Sequence, residues 1–349
     1  MKKSLIALAV LGLSGAAMAQ SSVTLYGVAD AGVGKIAAGS NDPSNPKYGR
    51  ASTVNGNKSD SSNKTQFMSA DLMNNADSRV GVRGVEDLGG GLKVSFNFET
   101  GLDLDDGSTN GSAFWARQAN VAIGGNWGTV KLGRQFTPSY LTAGMYDLTN
   151  QANYSVLGNT YKAAGIGNRA NSAFAYITPT FAGLTAAVGY VTKNDLVLAD
   201  GGHSVWDVAV LYANGPIAAG LSVNKVKGGK TDYQLGGKYT FGNFAVAASY
   251  SQAVNVPGLD LQNRRRGFGL GASANFGAFT ATLDLTRDTK NQWASGSYVN
   301  SNGTVTNNKK WTNGVVELKY ALSKRTFVYG AYLRQDGTNN YGLGMRHNF

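Results

Sequence analysis

Gly267-Phe268-Gly269-Leu270-Gly271-Ala272-Ser273-Ala274-Asn275-Phe276 is followed, after Gly277-Ala278, by Phe279-Thr280-Ala281-Thr282-Leu283-Asp284-Leu285-Thr286. In both runs every second residue is apolar: Phe268, Leu270, Ala272, Ala274 and Phe276, then Phe279, Ala281, Leu283 and Leu285. Side chains alternate between the two faces of a strand, so each run is a strand with one apolar and one polar face. Two residues between them make a hairpin. Further on, Val316, Leu318, Tyr320 and Leu322 alternate with Glu317, Lys319 and Ala321. Phe327, Tyr329, Ala331 and Leu333 alternate with Gly330, Tyr332 and Arg334, which places Tyr332 on the polar, inward parity.

The alternation recurs through the chain after Gln20 and gives sixteen strands, near 23–36, 78–85, 91–101, 116–123, 128–134, 170–178, 184–192, 205–214, 217–227, 232–240, 244–254, 265–275, 279–289, 313–322, 326–335 and 341–349. Connections alternate in kind. Glu86–Gly90, Gly124–Trp127, Pro179–Gly183, Gly215-Pro216, Phe241–Asn243, Gly277-Ala278 and Ser323–Arg325 are short, whereas the other set, including 37–77, 102–115, 135–169, 255–264 and 290–312, is mostly longer and polar. An even strand number, short turns at one end and long loops at the other describe an all-β protein, a sixteen-stranded antiparallel transmembrane β-barrel. Trp127, Phe181, Tyr239, Phe241, Phe244, Phe276, Phe279, Tyr320, Phe327 and Phe349 cluster near the short-turn ends, as an aromatic girdle at a membrane interface would.

Composition agrees with that reading. Among 349 residues there are 47 glycines, 6 prolines and no cysteine, only 15% are charged, and mean hydropathy is −0.21. A chain poor in charge yet not greasy mixes polar and apolar residues finely. The missing cysteines exclude disulfides, thiolate metal sites and cysteine catalysis. Lys2 and Lys3, the apolar run Leu5 to Leu13 and Ala17-Met18-Ala19 read as a secretory signal peptide over 1–19, leaving 20–349 as the barrel. No later segment reaches the ~18 uninterrupted apolar residues of a spanning helix. The formal charge is +11, and removing Lys2 and Lys3 leaves 30 basic residues against 21 acidic.

Four motifs stand in order along the chain: Val23-Thr24-Leu25-Tyr26-Gly27, then Ser78-Arg79-Val80-Gly81-Val82-Arg83-Gly84-Val85-Glu86-Asp87-Leu88-Gly89. Gly128-Thr129-Val130-Lys131-Leu132-Gly133-Arg134-Gln135 and the terminal Tyr341-Gly342-Leu343-Gly344-Met345-Arg346-His347-Asn348-Phe349 complete the set. With these the chain resembles the general porins of Gram-negative bacteria, the trimeric sixteen-stranded β-proteobacterial type. The resemblance implies a homotrimer in the outer membrane, in contact with its lipid and lipopolysaccharide, passing small hydrophilic solutes and ions without a cofactor. It also implies that the last strand, with Tyr341, Leu343, Met345 and Phe349 on one parity, is read by the barrel-assembly machinery. His347 breaks that parity, as a subunit contact or interfacial residue would.

Loops 37–77 and 135–169 exceed the ~15 residues that need no explanation. The first is rich in Asn, Ser, Lys and Asp and is expected in solvent. The second carries Tyr140, Leu141, Met145, Tyr146, Leu148, Tyr154, Val156, Leu157 and Tyr161, and its charges before Arg169 are Asp147 and Lys162. A loop that apolar must pack on something, and the inner wall of a wide barrel is available. The resemblance makes it the third loop, folded into the lumen, and sets its acid opposite an arginine cluster made of Arg79, Arg117 and Arg169, with Arg134 at the loop's base as a further member. Three or four arginines facing Asp147 would leave the constriction positive and the pore weakly anion-selective. Arg117 shares parity with Ala119, Val121 and Ile123, and Arg134 with Val130 and Leu132. Both therefore point inward only if a bulge resets the register, or face another subunit.

Other motifs carry less. Asp103, Asp105 and Asp106 lack EF-hand spacing and a closing glutamate. Gly89-Gly90-Gly91-Leu92-Lys93 lacks the Ser/Thr of a P-loop, and Gly267-x-Gly269-x-Gly271 lies inside a strand, where it makes a small-residue lumen face. Arg264-Arg265-Arg266 is a charged rim or a contact for lipopolysaccharide phosphates. His203 and His347 fall at opposite ends of the barrel without triad partners, so no enzyme is expected, and dispersed positive charge gives no nucleic-acid surface. Two other readings stay open. One is a substrate-specific channel with Tyr26 and Tyr332 as a stacking surface, and the other is a barrel-anchored adhesin.

Overall fold

The computed structural model describes residues 22–37, 65–111, 113–161, 166–192, 204–253, 264–292, 298–299, 305–306 and 310–349. The signal peptide, Lys162, His203 and most of loops 37–77, 255–264 and 290–312 lie outside them.

Sixteen strands form the wall: β1 Ser22–Lys35, β2 Arg79–Gly89, β3 Leu92–Leu102, β4 Gln118–Gly125, β5 Gly128–Phe136, β6 Arg169–Ile177, β7 Leu184–Val191 and β8 Val205–Asn214. They continue as β9 Ile217–Val226, β10 Thr231–Phe241, β11 Phe244–Ala253, β12 Arg264–Phe276, β13 Phe279–Gln292, β14 Thr312–Ala321, β15 Thr326–Gln335 and β16 Thr338–Asn348. Every neighbour in this order pairs antiparallel, and β1 closes the ring by pairing with β2 over Ser22–Val28 and with β16 over Val28–Lys35. A closed ladder satisfies all backbone groups without a sheet edge, which is what a chain crossing lipid with strands requires.

All sixteen expected strands are present. The largest difference is at Glu86–Gly89, which extends β2 rather than turning. The turn falls on Gly90-Gly91, and Gly89, Gly90 and Gly91 all adopt positive φ. Gly215, Gly242 and Gly277 open two-residue turns at φ of 55, 54 and 62°, a conformation costly for any residue with a Cβ.

The two faces differ as the alternation requires. Phe268, Leu270 and Phe276 are 50–61% exposed on the outer face, while Thr282, Asp284 and Thr286 opposite them in the period are buried inside. Trp127, Tyr239, Phe241, Phe244, Phe276, Phe279 and Tyr320 ring the short-turn end on the outside. Tyr239, Phe241 and Phe244 stack in series at 6.0 and 5.8 Å between centroids. Phe327 is not part of that girdle. It lies inward with Tyr329, Ala331 and Leu333, beneath Lys319 and Arg346. β15 therefore inverts the expected assignment: its apolar parity faces the interior, and Tyr332 stands outside, paired with outward Val316 and Tyr341. The reason is that the wall here is covered from within by the long loop, so water is absent from that inner surface.

The loop carries helix α1, Pro138–Gly144, and helix α2, Val156–Tyr161. Thr137 caps α1 by accepting from the Tyr140 N–H at 3.2 Å, with Pro138 at the first helical position. α1 packs on β7 to β10 and α2 on β11 to β15. The inward glycines of those strands make room. A Cβ on Gly220 would meet Thr142, on Gly236 the Tyr146 ring, on Gly267 the Tyr161 hydroxyl, and on Gly269 Leu157. The lumen face expected of Gly267-x-Gly269-x-Gly271 is thus the bed of the loop. Tyr154 and Val156 join Met68, Leu72, Met73, Tyr329 and Leu333 in an apolar cluster inside the barrel. Each such side chain, fully buried, stabilises by about 1.5–3 kcal/mol.

That cluster corrects a second expectation. The end of loop 37–77 is not solvated: Thr65–Ser69 adds a short strand to β1, and Met68, Leu72, Met73, Asn74 and Asn75 are buried. Asn74 and the Ala76 N–H both donate to Asp30 at 3.0 Å, fixing this segment to β1.

Arg265 is not a rim charge either. It lies buried between Asp288 and Asp336, giving each carboxylate two hydrogen bonds of 2.6–3.0 Å. Removing one partner of a buried ion pair costs about 3–5 kcal/mol because the others stay uncompensated. Arg265→Ala should therefore lower the temperature at which the folded barrel is lost in a heat-shift gel assay by many degrees, while Arg287→Ala on the outer face leaves it unchanged.

The lumenal constriction as candidate functional site

With α1 and α2 lying against β7 to β15, the open side of the lumen is bounded by β16, β1 and β2 to β6. A group of convergent charges stands on that wall. Arg79 opens β2 and lies inward, its Nε 3.6 Å from Glu99 and its Nη1 donating to the Asp77 carbonyl at 3.0 Å. Arg117 donates from Nε to Glu99 Oε1 at 2.7 Å and from Nη1 to Asp77 Oδ2 at 2.8 Å. The orientation of Arg117 needs neither a bulge nor a second subunit. The regular ladder begins only at Gln118, so Arg117 precedes the alternation that seemed to turn it outward.

Arg169 sits over the Phe136 ring at 4.5 Å, and its Nε is buried without a hydrogen-bond partner. Among the described residues no carboxylate lies within 4.0 Å of it. Half-buried on an aromatic face, this guanidinium adds a positive charge that no neighbouring carboxylate among the described residues offsets.

Arg134 does not join these three. It keeps outward parity with Val130 and Leu132, and β6 bulges opposite it at Asn171 and Ser172. Its guanidinium donates to the Ala116 carbonyl and the Asn171 side chain. Asp147 also departs from the expected arrangement: it is 1% exposed, turned into the loop, and accepts from the Thr149 N–H, the Thr149 hydroxyl and the Ser155 hydroxyl. Burial pushes its carboxyl above the usual range, despite these hydrogen bonds. It faces its own loop, not the arginines.

The acids that do face them, Asp77 and Glu99, and a fourth arginine, Arg346, were missed by the sequence reading. Arg346 lies inward on β16, donating from Nη1 to Asn75 at 2.8 Å. Parity could have found two of the three, since Glu99 alternates with outward Phe98 and Arg346 with outward Met345. Tyr26 is inward as expected, donating to Asn97 at 2.8 Å and Glu99 at 2.9 Å beneath Arg83. Its supposed partner Tyr332 is on the other side of the wall, so no lumenal stacking pair forms. Asn153 of the loop reaches across to Asp77 at 2.9 Å.

Ser139 roots the loop: its N–H and hydroxyl donate to Asp207 at 2.8 and 2.6 Å, and Asn224 donates to its hydroxyl at 3.0 Å. Tyr154 donates to Glu317 at 2.5 Å and Thr160 pairs with Thr286 at 3.0 Å at the other end. His347 finds an intrachain partner, the Thr326 hydroxyl at 2.8 Å. Asp103 and Asp106 accept from the Asp105 and Ser108 backbone N–H groups and so close their own turn.

A closed sixteen-stranded barrel, apolar outside, polar within and narrowed by a packed loop, is a transmembrane diffusion channel. Residues 4–340 match the Gram-negative porin family, and the chain belongs to it. It is 34% identical to outer membrane porin protein 32 of Delftia acidovorans, over 98% of this chain and 92% of that one. It is 28% identical to an outer membrane porin of Bordetella pertussis over the full length of both. The solved anion-selective porin of Comamonas acidovorans, 27% identical, superposes with a TM-score of 0.67 over 94% of this chain and all of that one. The protein is thus an outer-membrane porin, a water-filled channel for passive diffusion of small hydrophilic solutes and ions, and its family consists of channels rather than enzymes.

Proposed function

We propose that this porin is weakly anion-selective and that Arg79, Arg117, Arg169 and Arg346 set the preference. One observation carries the reading. On the open wall Arg79 and Arg117 pair with Glu99 and Asp77, and Arg169 and Arg346 stand near them without a carboxylate within 4.0 Å among the described residues. This leaves an excess of positive charge even with the buried Asp30 beside Arg346 counted, while Asp147 is buried away from them. Low-dielectric walls focus such an excess into the water-filled gap. The anion selectivity stated for the Comamonas porin supports it. A planar-bilayer recording across a KCl gradient tests it: the reversal potential takes the sign of chloride preference, and potassium preference would overturn the proposal.

The same proposal includes export by removal of 1–19 and association of three copies. It also takes β16 as the assembly signal, its outward Tyr341, Leu343 and Met345 exposed and Phe349 lying over Gly27.

A further inference from the structure

Two long loops meet inside the barrel, and one side chain of the second reaches a charged residue at the end of the first. Between α1 and α2 the chain turns sharply: Asn150 and Gln151 both adopt the left-handed conformation, at φ of 57 and 58°. Asparagine tolerates that region, but glutamine enters it seldom and needs support from its surroundings. Here the Gln151 amide donates to the Tyr140 carbonyl at 2.7 Å. The turn aims Asn153 at residues 71–77, away from the strands on which the helices lie.

Asn153 is held on both sides. Its N–H donates to the Asn75 carbonyl at 3.3 Å, and its own carbonyl accepts from the Asn159 amide of α2 at 2.7 Å. Its side-chain amide, with two protons to give, donates to the Asp71 carbonyl and to Asp77 Oδ1, both at 2.9 Å. The next residue, Tyr154, is already in the apolar cluster with Met68 and Met73, whereas Asn153 is partly exposed. It therefore stands where the sealed interior gives way to water.

Asp77 touches two of the arginines. Its Oδ2 accepts from Arg117 Nη1 at 2.8 Å and its carbonyl from Arg79 Nη1 at 3.0 Å. With Oδ1 on Asn153 both carboxylate oxygens are engaged, and the side chain is only 13% exposed. Without Asn153 the carboxylate is free to rotate and offer Oδ1 to a passing cation. The number of charges on the wall is the same in either case. Only the direction of one of them differs, and Coulomb interactions depend on that distance.

We propose that Asn153 is a positioning residue for ion selectivity: by fixing Asp77 Oδ1 it keeps that carboxylate on Arg117 and off the passage. The inference rests on the anion-selective reading above. Planar-bilayer recordings of the refolded full chain test it with Asn153→Ala, Asp77→Asn and the two combined. Asn153→Ala lowers the chloride-to-potassium permeability ratio about two- to fivefold and leaves single-channel conductance at the parent value. Asp77→Asn raises the ratio, and adding Asn153→Ala to it changes nothing more, because the group through which Asn153 acts has lost its charge. The shift in Asn153→Ala alone fades near 1 M salt, where the screening length is about 3 Å. An unchanged ratio in Asn153→Ala overturns the proposal. So does an equal shift with and without the Asp77 carboxylate, or one that persists at high salt with enlarged conductance, since either means a displaced loop. The parent's own reversal potential answers separately for the anion-selective reading. The coupling between the two substitutions is a change in ratio, whichever ion the parent prefers.

Discussion

Replacing Arg79, Arg169 and Arg346 together with serine turns the pore from anion-preferring to cation-preferring. The three changes leave Arg117 alone with Asp77 and Glu99, so an excess of positive charge becomes an excess of negative charge. Arg117 is retained because its hydrogen bonds of 2.7 and 2.8 Å hold both acids in place, and its loss would add a stability defect to the charge effect. Unit charges about 4 Å apart interact by about 1 kcal/mol even in bulk water, so three removed cations should move the chloride-to-potassium permeability ratio roughly tenfold or more. The reversal potential in a KCl gradient should change sign. The effect should fade near 1 M salt, where the screening length is about 3 Å. A ratio equal to wild type in the triple variant would detach selectivity from this wall.

The second large effect is on the loop. Tyr146→Ala/Leu157→Ala removes two buried anchors, one seated on Gly236 and one beside Gly269. Large-to-small changes in a core cost about 2–5 kcal/mol each. None of that cost falls on the strand ladders, which the loop does not help to pair. The barrel should therefore keep its heat resistance while residues 138–161 leave the wall intermittently. The expected record is a larger mean conductance with open-channel noise, and protease cleavage within the loop. Leu318→Ala on the outer face serves as the control and changes none of these. A quiet double variant with wild-type conductance would mean that Ser139, Tyr154 and Thr160 hold the loop unaided.

Much of this was legible in the chain because a strand exposes its environment residue by residue. The run from Gly267 to Thr286 shows its lipid face and its inner face in alternate letters, and the two-residue turn between its halves fixes the hairpin. The inward packing of 135–169 was legible too, from tyrosines and leucines that could not stand in water. Where the reading went astray, alternation was applied where it no longer held. Arg117 lies one residue ahead of its strand, and on β15 the inner environment is the loop rather than water, whereas Arg134 keeps the outward face that alternation gave it. Asp147 misled because a lone acid in an apolar loop has two destinations, the channel or a buried turn. Thr149 and Ser155, two and eight residues on, decide for the second.

By itself, then, the sequence determined the barrel, its strand number, its girdle and the existence of a loop that must be buried, because each follows from local periodicity and local hydrophobicity. Only the tertiary structure decided the charge of the constriction. Asp77 and Arg79, Glu99, Arg117 and Arg346 come from four separate stretches of chain. They form one electrostatic unit because closure of the ring brings β16 beside β1 and the Thr65–Ser78 segment under both. Coulomb interactions depend on distance through the folded molecule, and no spacing along the chain encodes that distance.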